Sequence, residues 1–381
     1  MPPKVSFIHT ADLHLGKSFQ ELGNHGSKLR HHIIAALNRG VEVARDRAVD
    51  LFLIAGDLFD STAPSREALS VLEAAFARLS ESGIRAVVIP GTHDPAGSRA
   101  FSSPILYSRP RQVFVITPEE PVRIFEDLDL AVGAWFPLRG RAREWTGPPR
   151  GWGRDRTFRV AMAHGSALPA MGDEGPEDLL PEFLLHDPEI HYLALGHHHG
   201  ARPVDEAVMP AYYSGSPEML AMDQKEAGYV LHVVLDAGGK QIRAAVDKVR
   251  VGSLRYLKLR LDAAEVAAGR DLNREIERAA DPDLFFEVAL EGTAALDAMV
   301  PDPAELERRY APAFFRLKII DRTTRGPELS AVANIPEASV LAEFIRRLQE
   351  RISEASGPER EEWEEALRLG VQYLVGSDRE P

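Results

Sequence analysis

Residues 5–16, VSFIHTADLHLG, run from a short apolar strand directly into the metal-binding side chains Asp12 and His14. Four later segments repeat this arrangement, in which an apolar run ends on aspartate or histidine. They are GDLFD at 56–60, GTHD at 91–94, HG at 164–165 and GHHH at 196–199. In open α/β sheets, ligands bind beyond the carboxyl ends of the strands. We therefore expect these five segments to meet at one edge of the fold.

The surrounding sequence alternates strand and helix patterns over roughly the first 235 residues, which is typical of parallel β-α-β crossovers. Apolar runs at 5–9, 51–55 and 86–90 are separated by helical periodicity at 28–47 and 65–80. After Pro90 the chain is richer in strands joined by short loops, which predicts a second sheet with antiparallel pairs. We predict an α/β fold, a four-layer α/β/β/α sandwich of two mixed sheets flanked by helices, followed by a small α/β C-terminal domain and terminal helices.

Three regions are expected along the chain. Residues 1–250 carry the metal-binding segments, residues 251–322 form a small α/β domain, and residues 334–376 form a C-terminal helical segment. Apolar residues recur at helical spacing in this last segment. They either pack on their own domain or form a surface that docks a partner.

The bulk composition excludes several classes of protein. Of 381 residues, 44% are hydrophobic and 27% are charged, which is ordinary for a globular protein. The lack of cysteine excludes disulfides, zinc–thiolate sites and iron–sulfur clusters. No apolar run reaches membrane-spanning length, so we expect a cytoplasmic protein without a membrane partner. The formal charge of −13 argues against a high-affinity non-specific duplex binder, but not against an enzyme with a local cationic site.

The candidate ligands are carboxylate and imidazole groups, a set that suits manganese, iron or zinc better than calcium. Two such ions bridged by one carboxylate can clamp a phosphate and activate water for direct attack on phosphorus. His197 and His199 strengthen this interpretation, because buried imidazoles are costly without a metal or partner. His198 between them should point away, and His9 is expected to be packed or hydrogen-bonded.

The five segments resemble the motifs of calcineurin-like metallophosphoesterases. Within that superfamily, TADLHLG at 10–16 and GDLFD at 56–60 are similar to SbcD-type nucleases, which process DNA double-strand breaks. The resemblance covers residues 5–235 and is weak beyond them. It implies a DNA exonuclease/endonuclease with two divalent ions, favouring Mn²⁺. It also implies a capping-type second domain, an SMC-like coiled-coil ATPase partner, and a homodimer as one assembly.

The resemblance assigns seven residues to the two ions. The first ion would be held by Asp12, His14 and His199, the bridge would be Asp57, and the second ion would be held by Thr92, His164 and His197.

The resemblance also gives the segment at 91–94 a catalytic role. His93 would protonate the leaving oxygen or steady the phosphate, and Asp94 would orient the His93 ring. Proton transfer from such a histidine is typically worth roughly 10²–10⁴-fold in rate. Asp60 could contact the substrate or cap the following turn, and we favour the cap.

Thr92 departs from the family pattern, which places asparagine at this position as an amide ligand of the second ion. A threonine hydroxyl is a poorer ligand, and its β-branch stiffens the side chain. Water could fill the coordination position, the second ion could bind more weakly, or the hydroxyl could bind it. We favour a working site with a weaker second metal.

An arginine-rich stretch at 139–159 holds seven arginines interleaved with Trp145 and Trp152. Arginine and aromatic side chains in a loop suit a phosphate backbone or an unstacked base. Arg154 and Arg156 are therefore candidate DNA contacts. The alternative is that these arginines pair with acidic residues elsewhere in the chain.

Two other functions stay open. The chain could be a phosphodiesterase or phosphatase that acts on small nucleotides. It could also be a non-catalytic scaffold that kept the fold but lost effective binding of the second metal through Thr92.

Overall fold

The computed structural model describes residues 3–102, 112–138, 144–167, 179–239, 241–295, 302–326, 339–355 and short stretches between 359 and 371. The chain divides into two compact units, Met1–Leu254 and Arg255–Pro381. Within these described ranges, no helix is both long enough and apolar enough to cross a membrane.

The first unit is built from alternating strands and helices. Its strands are β1 Lys4–Thr10, β2 Leu51–Ala55, β3 Arg85–Ile89, β4 Val113–Val115, β5 Val122–Phe125, β6 Leu130–Pro137, β7 Trp145–Thr146, β8 Phe158–His164, β9 Tyr192–Gly196, β10 Arg202–Pro203, β11 Ala211–Tyr213, β12 Tyr229–Asp236 and β13 Arg243–Arg250. Its helices are α1 Asn24–Asp46, α2 Arg66–Glu81 and α3 Glu182–Leu185.

These strands form two mixed sheets. The six-stranded sheet has the order β13-β12-β1-β2-β3-β4, and the seven-stranded sheet has the order β10-β11-β9-β8-β6-β5, with β7 paired to β6. Strand β1 is parallel to β2 and antiparallel to β12. Strand β8 is parallel to both β6 and β9, whereas β5 is antiparallel to β6. The mixed character predicted for both sheets is confirmed.

The two sheets pack face to face. One buried cluster joins Leu53 and Val87 of the first sheet to Val132, Val160 and Met162 of the second. Burying each such side chain stabilises the fold by about 1.5–3 kcal/mol. A separate cluster packs Leu184 and Leu185 of α3 on the outer face of the second sheet.

Helices α1 and α2 pack against the first sheet. The buried face of α1 carries Ile33, Leu37 and Val41, the helical spacing expected from the sequence. At Gly40 a β-carbon would lie 3.5 Å from Val230 Cγ1 of β12. Helix α2 begins after Ser65, whose hydroxyl accepts a hydrogen bond from the Ala68 N–H. The predicted α/β/β/α layering is confirmed.

The second unit contains a parallel three-stranded sheet whose strands are, in order, β14 Arg255–Asp262, β15 Asp281–Glu291 and β17 Phe314–Asp321. Its buried core includes Ile276, Phe286 and Leu306. The other elements are α4 Ala263–Ala267, α5 Leu272–Arg278, β16 Thr293–Ala295, α6 Pro303–Tyr310, β18 Thr324–Gly326 and α7 Val340–Glu354. The predicted division between residues 322 and 334 stays a prediction, because residues 327–338 lie outside the described ranges.

Candidate metal centre

The parallel strands bring the five polar segments to one edge of the sandwich. Asp12 follows β1, Asp57 follows β2, and His93 follows β3, while His164 ends β8 and His197 follows β9. Strands β1, β2 and β3 are mutually parallel neighbours, as are β8 and β9. Their carboxyl ends therefore face the same way, and residues far apart in the chain become neighbours.

One group of possible metal ligands consists of Asp12, His14 and His199, whose ligand atoms lie within 4.8 Å of one another. The Nε2 atoms of His14 and His199 are 3.1 Å apart. Two ligand atoms each about 2.0–2.1 Å from one ion stand ~3 Å apart, so this separation suits a shared ion. The structure thus brings together the three residues predicted to bind the first ion.

A second group consists of Asp12, Asp57 and His164. His164 Nδ1 lies 2.8 Å from the carbonyl oxygen of Ala55, which can only accept a hydrogen bond. Nδ1 therefore carries a proton, and Nε2 is the nitrogen that can bind a metal once its own proton has left. That Nε2 atom lies 3.3 Å from Asp57 Oδ2 and 4.0 Å from Asp12 Oδ1.

Asp57 Oδ2 faces both groups. It lies 3.3 Å from His164 Nε2 and 3.8 Å from His14 Nε2. The other oxygen, Oδ1, accepts a hydrogen bond of 2.9 Å from the backbone N–H of His93. One carboxylate oxygen between two imidazoles has the placement expected of a bridging ligand.

Electrostatics favour a cation in this cluster. Burial raises the pKa of Asp57, but His164 and His14 outweigh it and hold that pKa below its ordinary value. Burial lowers the pKa of His164, but Asp57 and Asp12 outweigh it and raise that pKa to about 10. The carboxylates of Asp57 and Asp12 therefore stabilise a positive charge beside them. With its imidazole and carboxylate donors, the cluster fits divalent ions.

His197 occupies a strained position beside this cluster. Its φ is 102°, and its backbone N–H donates to both Asp12 oxygens at 3.0 and 3.1 Å. Its ring is edge-on to that of His164, with centroids 5.5 Å apart. Neither ligand group described above includes the His197 side chain. Its role as a ligand of the second ion stays a prediction.

Thr92 lies against the candidate bridge. Its Oγ1 donates to Asp57 Oδ2 at 3.3 Å. The hydroxyl is therefore next to the oxygen that faces both groups. Binding of the second ion by this hydroxyl stays a prediction.

His93 lies beside a different carboxylate from the one predicted. Its side chain is 47% exposed, and its Nδ1 lies 3.4 Å from Asp60 Oδ1. The same Asp60 oxygen lies 2.9 Å from His14 Nδ1 and 3.0 Å from Lys17 Nζ. Asp60 is therefore a shared partner of two site histidines and not a turn cap. The spacing of Asp60 three residues after Asp57 is the signal that could have indicated this role.

The role predicted for Asp94 is wrong. Asp94 is fully buried, and its two oxygens accept hydrogen bonds of 2.9 Å from the N–H groups of Phe59 and Gly91. These bonds tie the loops after β2 and β3 together. Asp94 therefore stabilises the backbone beneath the site, and Asp60 is the carboxylate that lies beside the His93 ring.

Backbone strain is concentrated at the candidate ligands. Among the described residues, seven non-glycine residues have a positive φ, and four of them are Asp12, His14, Asp57 and His197. Such conformations cost about 1–3 kcal/mol each and persist only where the surroundings impose them. This pattern is typical of a functional site.

Arg154 and Arg156 lie away from the metal centre. They precede β8, whereas His164 ends the same seven-residue strand, about 20 Å further along it. Arg154 Nε is 3.3 Å from a Glu189 oxygen, and Arg156 Nη1 is 2.5 Å from a Glu126 oxygen. The structure therefore supports the alternative of arginines paired with distant acidic residues. Positions 139, 141 and 143 lie outside the described ranges.

Two other histidines behave as expected from the sequence. His9 is buried between the Tyr192 hydroxyl at 3.0 Å and the Leu195 carbonyl oxygen at 3.2 Å. Burial lowers the pKa of His9 to about 3, so this packed ring is neutral. His198 Nε2 lies 3.0 Å from Ser166 Oγ, and its ring packs edge-on against Tyr213.

Comparison with known proteins adds independent information. The sequence profile of the family described as calcineurin-like phosphoesterase matches residues 5–201, a range that includes all seven candidate ligands. The chain is 32% identical over 244 residues to an uncharacterized metallophosphoesterase, YhaO, of Bacillus subtilis strain 168. That match covers 60% of this chain and 57% of YhaO.

Two relatives carry names that refer to nucleases or DNA repair. The chain is 28% identical over 265 residues to the SbcD component of the nuclease SbcCD of Bacillus subtilis strain 168, covering 61% of this chain and 66% of that protein. It is 29% identical over 263 residues to the DNA double-strand break repair protein Mre11 of Methanopyrus kandleri, and that match covers 62% of this chain and 55% of that protein. The matches thus span between 55% and 66% of the length of these three relatives.

Proposed function

Because the chain belongs to the calcineurin-like phosphoesterase family, as expected from its motifs, we propose that it is a metal-dependent phosphodiesterase that cleaves DNA. The observation that carries the proposal is the Asp57 oxygen that faces both ligand groups. DNA as substrate is supported by the names of two relatives, a nuclease component and a double-strand break repair protein.

Two divalent ions fit the donor set, and Mn²⁺ is the ion that we propose. The first ion would be held by Asp12, His14 and His199. Asp57 would bridge the two ions, and the second ion would be held by His164, His197 and Thr92. When bound, such ions neutralise charge on the phosphate and activate water as a nucleophile. The convergence of Asp12, His14, Asp57, His164 and His199 argues against a scaffold that has lost metal binding.

His93 is the group that we propose as the acid for the leaving oxygen. Asp60 lies near its Nδ1, which leaves Nε2 on the side of Asp57, 4.0 Å from Oδ2. The ring is further held edge-on by His14, with centroids 4.9 Å apart. A partly exposed imidazole with a carboxylate near one nitrogen can deliver a proton from the other.

The second unit offers a cationic surface that supports DNA as the substrate. Parallel pairing places Lys258 of β14 and Lys318 of β17 on either side of Glu287 of β15. Side chains two residues apart along a strand lie on the same face of the sheet. Arg260 and Arg316 therefore lie on the same face. Lys258 forms an ion pair of 2.5 Å with Glu287, and we call Arg260, Arg316, Lys318 and this paired Lys258 the basic strand face. In a chain of net charge −13, such a local cationic surface suits a phosphate backbone.

Charge reversal on the basic strand face should weaken DNA binding. The double variant Arg316→Glu with Lys318→Glu removes two exposed cations, and each lost phosphate contact reduces the salt slope of binding by about 0.9. Fluorescence anisotropy with linear duplex DNA at several salt concentrations measures this slope. The matched double variant Arg154→Glu with Arg156→Glu should bind as the wild type does. The same loss in both variants would contradict a specific role for this face.

A partner protein is a further part of the proposal. One relative is named as part of a nuclease complex, which supports an assembly with an SMC-like coiled-coil ATPase. The segment 334–376 is the docking region that we propose. Its described part includes α7, where Val340 is 77% exposed. We also propose a homodimer.

The proposed function is tested by incubating the protein with linear DNA and with small phosphodiesters, each with Mn²⁺ and with a chelator. Degradation of linear DNA only in the presence of Mn²⁺ is the expected result. Turnover of small phosphodiesters alone would favour the nucleotide phosphodiesterase. Inactivity on both, together with failure to bind Mn²⁺, would favour the scaffold.

Thr92→Asn should strengthen binding of the second ion. An amide oxygen is a better metal ligand than a hydroxyl, and position 92 already contacts Asp57 Oδ2. We expect calorimetric titration with Mn²⁺ to show a tighter second step, and turnover to rise at limiting Mn²⁺. Thr62→Asn, at an exposed threonine, serves as the control. Unchanged affinity and turnover in Thr92→Asn would show that position 92 does not limit the enzyme.

A further inference from the structure

A pocket of about 480 Å³ opens beside the metal centre. His164 and Thr92 line both the pocket and the cluster around Asp57. The other walls come from the loop after β3, the loop between β4 and β5, and the end of β6. A group bonded to a phosphate in the metal centre could therefore enter this pocket directly.

Just over half of the pocket surface is apolar. Pro95, Ala96, Pro118 and Leu138 contribute to it, and pockets of this volume and character accept small ring systems. In the described lining, Glu119 is the one carboxylate, and lysine and arginine are absent. A second phosphate of the substrate would be repelled there, whereas an uncharged flat ring would gain from leaving water.

We propose that this pocket binds one unstacked nucleoside, the residue attached to the phosphate that is cleaved. The proposal rests on the proposed function and names the part of the substrate that the site recognises. Glu119, exposed at the rim, can accept a hydrogen bond from a sugar hydroxyl or a base N–H. The nucleoside must leave the base stack to enter, which favours single-stranded or frayed DNA ends over intact duplex.

The test compares two phosphodiesters that share one leaving group, the p-nitrophenyl ester of thymidine 5′-phosphate and methyl p-nitrophenyl phosphate. We expect the wild type to prefer the thymidine ester by about tenfold or more in kcat/KM. Ala96→Phe, which fills the pocket, should reduce this preference to near unity by raising KM for the thymidine ester alone. Ala74→Phe, at an exposed position of α2, is the matched control and should keep the preference.

A second measurement separates this proposal from the proposed function. Saturation-transfer NMR with free thymidine, on the metal-free protein, should show binding to the wild type and to Ala74→Phe but not to Ala96→Phe. If neither ester is hydrolysed, the proposed function fails, and the loss of thymidine binding in Ala96→Phe would still support the pocket. Equal ester preference, or equal thymidine binding, in the wild type and Ala96→Phe would overturn the inference.

Discussion

His93→Ala should reduce Mn²⁺-dependent hydrolysis of DNA by roughly 10²–10⁴-fold in kcat while both ions still bind. His93 lies outside the proposed ligand set, and its side chain is 47% exposed beside the cluster. With Asp60 at Nδ1, its Nε2 faces the Asp57 side of the site. Removing the ring therefore removes the proposed proton donor and leaves the ligands in place. Single-turnover kinetics at saturating Mn²⁺, with calorimetry on the same sample, measures both quantities.

The controls for His93→Ala isolate the proton transfer. His31→Ala replaces an exposed histidine of α1, which contacts the Ser27 carbonyl oxygen, and should leave kcat unchanged. Asp60→Asn keeps the size of the side chain beside His93 but removes its charge, so it should lower kcat less than His93→Ala does. Because Asp60 also contacts His14, Mn²⁺ affinity is measured on the same sample. Turnover within about twofold of the wild type in His93→Ala would rule out His93 as the acid.

Gly91→Ala should abolish binding of both ions and all hydrolysis. A β-carbon at position 91 would lie 2.2 Å from the backbone nitrogen and from Oδ1 of Asp57, far inside contact distance. The added methyl group must displace the carboxylate that faces both ligand groups. Since Asp57 contacts His164, His93 and Thr92, its displacement disrupts the whole centre. Calorimetric titration with Mn²⁺ measures the loss.

Gly40→Ala is the matched control for Gly91→Ala. Its β-carbon would meet Val230 at an ordinary 3.5 Å, and alanine is the better helix former by about 1 kcal/mol. The Gly40 variant should therefore bind Mn²⁺ as the wild type does. Thermal unfolding with a chelator present shows whether Gly91→Ala still folds. A folded Gly91→Ala protein with wild-type affinity for both ions would contradict the placement of Asp57.

The fold and most of the ligand cluster could be predicted from the sequence, because both depend on local patterns. An apolar run that ends on Asp12 or Asp57 indicates both the strand and the edge at which it ends. Parallel pairing then brings the ends together without further information. Asp12, His14 and His199 meet as expected, although 185 residues separate the two histidines.

The orientation of His93 could not be predicted in this way. Asp94 is the neighbour of His93 in the chain, so the sequence suggests it as the carboxylate beside the ring. The turn after β3 instead directs the Asp94 side chain toward backbone N–H groups of two loops. Asp60 reaches the ring through space, and only the packing of two loops reveals it. The partners of Arg154 and Arg156 could not be predicted for the same reason. Glu189 lies 35 residues from Arg154, and Glu126 lies 30 residues from Arg156.

The proposed function depends most on a two-metal centre bridged by Asp57. A crystal structure of the protein soaked in Mn²⁺, with anomalous scattering measured at the manganese edge, tests it most directly. We expect two anomalous peaks about 3.5–4 Å apart on either side of Asp57, one near His14 and His199 and the other near His164. The second peak should be weaker in the wild type than in Thr92→Asn. The lack of any peak within bonding distance of Asp57 would contradict a metal centre bridged by Asp57.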